Sequence, residues 1–193
     1  MVLKTRERLI EVARQLFTNK GIENTTMNDI ASASDKGRRT IYTYFKNKRE
    51  IYNAVIEHES EQMVSKLREI NLLNTTPSEK LRKFFVLRFE LFNDTLTRKD
   101  SFRTLFNREV KRVDRIRKLV SSKEIEILKT ILNEGIEKFE FQPEQANRII
   151  PLTQMLLQGV DYSSFKGIIA ETDCNEIIAY EDIINFILEG IKL

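Results

Sequence analysis

The sequence predicts an all-α protein of about nine helices. Three observations point there. Only 6 glycines and 3 prolines interrupt 193 residues, a composition that favours long helices over turn-rich sheets. Apolar residues recur at three- and four-residue steps in most segments, the period of a helix face. No segment sustains the two-residue alternation of a half-buried strand. "KGIIA" is the one short candidate, and it reads as a helix end or loop.

The elements follow in order. Residues 4–20 carry the stripe Leu9, Ile10, Ala13, Leu16 and Phe17, and Lys20-Gly21 ends the helix where glycine can turn left-handed. In "TTMNDIAS", Thr26 is a natural N-cap and Asp29, three residues on, supplies a capping-box partner. "SDKG" interrupts, with Asp35 and Gly37 as turn residues. "RRTIYTYF" is a third short helix that buries Ile41 and Phe45. A fourth begins at Asn47 or Lys48 and runs to about Glu69. After the loop "NLLNTTPSEK", Pro77 sits in the first turn of a helix reaching about residue 97. Further helices are expected near 100–112, over 114–139, from Pro143 to about Phe165, and over 177–192, the last two joined by "KGIIAETDCNE".

Composition narrows the function classes. Hydrophobic residues make up 41% and charged residues 32%, which gives a sizeable core and a solvated surface. No apolar run approaches the roughly 18 residues of a membrane span, and the charged N-terminus has no signal-peptide core. The expectation is a cytoplasmic protein with no membrane partner. One cysteine, Cys174, precludes an intrachain disulfide, and one histidine, His58, precludes a two-histidine metal motif. Ser163 and Lys166 match only a fragment of an acyl-transfer motif. No glycine-rich phosphate loop appears. The expectation is no enzyme, no metal and no cofactor.

Charge is uneven. The formal net charge is +3, yet residues 1–50 hold 11 Lys or Arg against 6 Asp or Glu, and residues 51–193 hold 21 against 23. From Lys36 to Arg49 the chain carries six basic residues and no acid, interleaved with Tyr42, Tyr44 and Phe45. The helices at 4–20, 26–33 and 37–44 have helix-turn-helix spacing, in which the second helix braces the third at the surface. A major groove admits such a helix. Lys36, Arg38, Arg39, Lys46, Lys48 and Arg49 then neutralise phosphates. Threonine and tyrosine hydroxyls bond phosphate oxygens. Arg38 or Arg39 can take a guanine edge with two hydrogen bonds, and Thr40 or Thr43 can meet a thymine methyl. The helix starts at Thr26 and near Lys48 offer backbone N–H groups to anions.

"TTMNDIA" followed by "RRTIYTYFKNKREIY" resembles the DNA-binding domain of the tetracycline-repressor (TetR) family of bacterial regulators. Phe17, Gly21, Thr25, Thr26, Asp29, Ile30, Ala31, Thr40, Tyr42, Phe45, Lys48 and Glu50 stand at matching positions over roughly residues 5–55. The resemblance implies phosphate contacts from Thr26, Tyr42 and Lys48 and base contacts from Arg38, Arg39, Thr40 and Thr43. Thr25 and Tyr44 complete the candidate set. Three departures concern the turn. Asp35 replaces the usual glycine and tolerates the left-handed conformation. Lys36 replaces an apolar residue, and Gly37 replaces a serine cap.

The resemblance divides the chain into a DNA-binding domain at 1–47 and a helical ligand-binding and dimerisation domain at 48–193. It implies a regulator, a repressor that binds a palindromic double-stranded operator as a homodimer and leaves it on binding a small apolar or amphipathic effector. Six of twelve phenylalanines fall in 84–106. Phe85, Phe89, Phe92, Phe102 and Phe106, with Arg88 and Arg103 as polar handles, are candidates to line an effector cavity. Gln154, Met155 and Tyr162 are candidates from later helices. Candidate dimer residues are Ile149, Leu152, Leu156, Val160, Ile183, Ile184, Ile187 and Ile191, on two apolar helices able to pair as a four-helix interface. The competing reading is a non-catalytic helical adaptor whose basic end binds RNA or another acidic partner.

Overall fold

A computed structural model describes residues 2–97, 110–166 and 180–192. Eight α-helices occur among them: α1 (Val2–Lys20), α2 (Met27–Ala33), α3 (Arg38–Tyr44), α4 (Lys48–Glu69), α5 (Pro77–Thr97), α6 (Val110–Glu137), α7 (Pro143–Lys166) and α8 (Tyr180–Ile191). A 3-10 turn, Ile70–Leu72, follows α4. One isolated antiparallel bridge, Phe141 with Lys192, is the only β pairing among the described residues. The all-α expectation stands. Most of the helix expected near 100–112 lies outside the described residues, as does the connector holding Cys174. No helix among the described residues is long and apolar enough to cross a membrane.

The chain divides into two compact units, Met1–Gln62 with Thr97–Ile116, and Met63–Leu96 with Arg117–Leu193. The first core gathers Leu9, Ile10, Ala13 and Phe17 of α1, Ile30 and Ala31 of α2, Ile41 of α3 and Phe45 just after it. It also takes Ile51, Tyr52, Ala54 and Val55. The unit therefore extends well past residue 47: the first turns of α4 supply its fourth wall. Phe17 meets Tyr52 edge-on, with ring centroids 6.1 Å apart. Each such side chain taken fully out of water contributes about 1.5–3 kcal/mol, which lets helices as short as α2 and α3 persist where isolated seven-residue helices would not.

The second core holds Val64 and Leu67 from the end of α4, Leu81, Phe84, Phe85 and Phe89 of α5, and Ile127, Leu128, Ile131 and Leu132 of α6. Phe141, Ile149, Ile184, Ile187, Leu188 and Ile191 complete it. Polar ties lock its helix ends. The Ser78 N–H and hydroxyl both donate to Glu140, at 3.1 and 2.8 Å, capping α5 from the segment that follows α6. Lys80 donates to Glu134 at 2.8 Å. Lys138 and then Lys80, bonding the Glu134 carboxylate, hold its pKa below the ordinary value.

The end of α6 is tightly built. The Gly135 carbonyl accepts from Glu140 N–H at 2.8 Å and Phe141 N–H at 3.1 Å. The buried Phe141 ring lies so close that a Cβ on Gly135 would fall 2.0 Å from Cδ2. Alanine at 135 is expected to destabilise by about 1–3 kcal/mol despite its better helix propensity, read as a lower denaturant midpoint. Phe139, by contrast, is 82% exposed with φ +58°. An L-residue there costs about 1–2 kcal/mol, so Phe139→Gly is expected to stabilise by about 0.5–1 kcal/mol once glycine's extra chain entropy is counted, read as a raised Tm.

Candidate nucleic-acid interface

α2 lies against both α1 and α3. Its start is a full capping box: Thr26 Oγ1 accepts from Asp29 N–H at 3.1 Å, and the Asp29 carboxylate accepts from Thr26 N–H at 2.8 Å and from its hydroxyl at 2.9 Å. The backbone bond from Thr26, and secondarily its hydroxyl, hold the Asp29 carboxyl below its ordinary pKa. Its end is a Schellman turn. Lys36 N–H donates to Ala31 O at 2.9 Å and Asp35 N–H to Ser32 O at 3.1 Å, with Asp35 at φ +54°. Asp35 thus holds the left-handed position that the sequence assigned to it.

α3 buries Ile41, and the chain after it buries Phe45. The opposite side presents Arg38, Arg39, Tyr42 and Thr43 to solvent, with Thr40 and Tyr44 half-buried. Tyr42 is 42% exposed, and the Arg38 guanidinium stands over its ring, 5.7 Å from the centroid. Among the described residues, Lys36, Arg38, Arg39 and Lys46 have no carboxylate partner, whereas the second unit pairs Lys80 and Lys138 with Glu134, Arg82 with Glu181, Arg88 with Glu124 and Arg148 with Glu144. Unneutralised cations gathered on and beside one short helix make a face of positive potential.

Several candidate residues have other duties. Thr25 is fully buried, and its hydroxyl donates to Gly21 O at 2.8 Å. It is a strut inside the unit, not a surface contact. Thr26 must swing its hydroxyl proton away from Asp29 to reach a phosphate. The Thr43 hydroxyl donates to Arg39 O at 3.1 Å, which leaves its methyl for a base. Lys48 Nζ donates to Ile22 O at 2.7 Å and Glu23 O at 3.3 Å, tying α4 to the loop after α1. The two helix starts expected to take anions hold carboxylates of their own. Asp29 serves α2, while at α4 Asn47 accepts from Glu50 N–H at 3.0 Å and Glu50 accepts from Lys46 N–H at 2.8 Å. Sequence reasoning missed Arg6, exposed and 5.5 Å from the Phe45 ring centroid, and Arg8, which bonds the turn. Asp35, alone among cations, was the available signal for a counter-ion.

In the second unit, Phe85 and Phe89 are buried core residues. Arg88 is not an open handle: its Nε lies 3.1 Å from Glu124, with both side chains buried. Gln154 donates to Ser121 at 3.3 Å. Met155 is exposed and lines no interior space. The side chains of Phe92, Phe102, Arg103, Phe106 and Tyr162 lie outside the described residues. Of the dimer candidates, Ile149, Ile184, Ile187 and Ile191 are buried in the unit's own core and leave no surface to share. Leu156, Val160 and Ile183 are half-buried. Leu152 is exposed, as is Phe186, which the sequence reading passed over.

Residues 9–55 match the family described as "Bacterial regulatory proteins, tetR family". The chain is 47% identical over 51 residues to the "Probable acrEF/envCD operon repressor" of Escherichia coli K12, covering 26% of this chain and 23% of that protein. It is 30% identical over 96 residues to an HTH-type transcriptional regulator of Staphylococcus aureus strain bovine RF122 / ET3-1, covering 49% of this chain and 52% of that one. It thus spans about half or less of these curated relatives. A transcriptional regulator of Cytophaga hutchinsonii ATCC 33406 shares the fold with TM-score 0.79 at 26% identity, over 97% of this chain and 98% of that one. The match to the tetR family of bacterial regulatory proteins thus runs from within α1 to the first turns of α4, and the fold is shared with the Cytophaga hutchinsonii regulator along nearly the whole length.

Proposed function

We propose that the chain is a dimeric transcriptional regulator, a repressor that binds a palindromic duplex through α3 and is released by a small apolar or amphipathic effector. One observation carries the DNA-binding part: Lys36, Arg38, Arg39 and Lys46 gather on and beside α3 with no carboxylate partner among the described residues, and Arg38 and Arg39 are exposed. Similarity to an operon repressor supports the regulatory role. Capture of genomic fragments by the purified chain tests the reading. A shared palindrome bound with steep salt dependence is expected; equal or tighter binding of RNA or single strands would favour the adaptor.

Dimerisation is supported by α7 and α8, which touch each other. Their exposed sides carry Leu152, Met155 and Phe186. Gly159 and Gly190 lie exposed on the same helices with open space beside them, room for another helix to approach closely. Two recognition helices held about 34–36 Å apart would read successive major grooves. The double change Met155→Glu and Phe186→Glu is expected to give monomers by sedimentation and to weaken palindrome binding by about 100-fold through lost bivalency.

A further inference from the structure

We propose that Arg8 is a positioning residue for DNA binding: it holds and neutralises Asp35, keeping the turn ahead of α3 in register and free of net negative charge. The proposal rests on the DNA-binding reading above. Asp35 is the only carboxylate between Asp29 and Glu50. It sits at the left-handed position, one residue before the cationic row, with its side chain 85% exposed. Arg8 reaches it from α1, a tie across 27 residues. Nη2 lies 3.0 Å from Asp35 Oδ2, and Nε donates to Ser34 O at 3.1 Å. One guanidinium therefore bridges the last carbonyl of the α2 cap and the carboxylate that follows it. Ser34 is itself buried, its hydroxyl donating to Ala31 O at 2.9 Å, so the inner side of the turn is fixed and Arg8 fixes the outer side.

Both partners are largely exposed, Arg8 at 56%, so the pair adds little to fold stability in water. Its effect falls on the ligand. Without Arg8, a free carboxylate stands beside Lys36 and Arg38 and repels the phosphates that they attract.

A double-mutant cycle in the full-length chain tests this, with the captured duplex as probe and a thermal melt confirming that each variant is folded. Arg8→Ala is expected to weaken binding about 5–10-fold. Asp35→Asn keeps left-handed tolerance and is expected to bind within about twofold of wild type. The double variant is expected to recover to within about twofold of Asp35→Asn and to keep the wild-type salt slope. Arg8→Lys, retaining the charge without the fork, is expected to fall between wild type and Arg8→Ala. A double variant as weak as Arg8→Ala, with a shallower salt slope, would mean that Arg8 meets a phosphate directly and overturns the proposal. An unchanged Arg8→Ala overturns it as well. A wild-type chain that binds no duplex overturns the functional reading itself, which separates the two failures.

Discussion

Replacing Arg39 and Tyr42 together with alanine is expected to lower affinity for the captured duplex by about 100-fold while leaving the helical content unchanged. Arg39 is exposed with no carboxylate partner among the described residues, so its removal takes nothing from the fold. A bidentate base contact is worth about 1–3 kcal/mol, and a directed phosphate contact adds roughly one unit of salt slope when a cation is lost. Tyr42 contributes twice. In the proposed mode its hydroxyl bonds a phosphate, and its ring is the platform over which the Arg38 guanidinium stands. Losing the ring releases Arg38, so the two single changes should not add simply to the double. Competition binding at several salt concentrations reads both quantities. Wild-type affinity in the double variant, with dimerisation intact, would remove α3 from the interface.

The second large effect is on stability. Glu124→Ala is expected to cost about 3–5 kcal/mol, since it takes away the buried carboxylate that lies 3.1 Å from Arg88 Nε. Exchanging both partners for apolar residues, Arg88→Met with Glu124→Leu, is expected to recover most of that loss, because neither member of the pair is then buried without the other. Denaturant unfolding at neutral pH separates the outcomes. If Glu124→Ala proved nearly neutral, Arg88 would have another anion to turn to, and the sequence-based view of it as an effector handle would regain its footing. If both variants were equally unstable, side-chain volume would matter more than charge.

The pattern of success along the chain has a physical cause. The first fifty residues were legible because their signals are local. A cap, a box partner three residues on, a left-handed turn residue and an apolar pair four apart are each decided within one or two turns of helix. Ile41, Phe45, Thr26 and Asp35 all sit where that reasoning puts them. The last helix shows the opposite case. Ile184, Ile187 and Ile191 form a stripe that must be covered, but periodicity cannot say by what, and their own unit covers them. The informative residue was Phe186, an aromatic among Glu181, Asp182, Asn185 and Glu189 on the face that periodicity assigns to water. Thr25 and Thr26 make the same point at smaller scale. Adjacent and identical, they differ only in which way the chain turns them, one into a carbonyl-bonded strut and the other into a cap. Arg8 lay beyond local reasoning because its partners are 26 and 27 residues away.

Asp29 and Glu50 satisfy donors at the starts of α2 and α4 from within the chain. The starts of α2 and α4 are accordingly fixed by the chain itself, and in the proposed mode this unit meets the duplex already formed. It gives up little conformational freedom on docking, so association should show a small heat-capacity change and amide protection in α2 and early α4 that is the same with and without DNA.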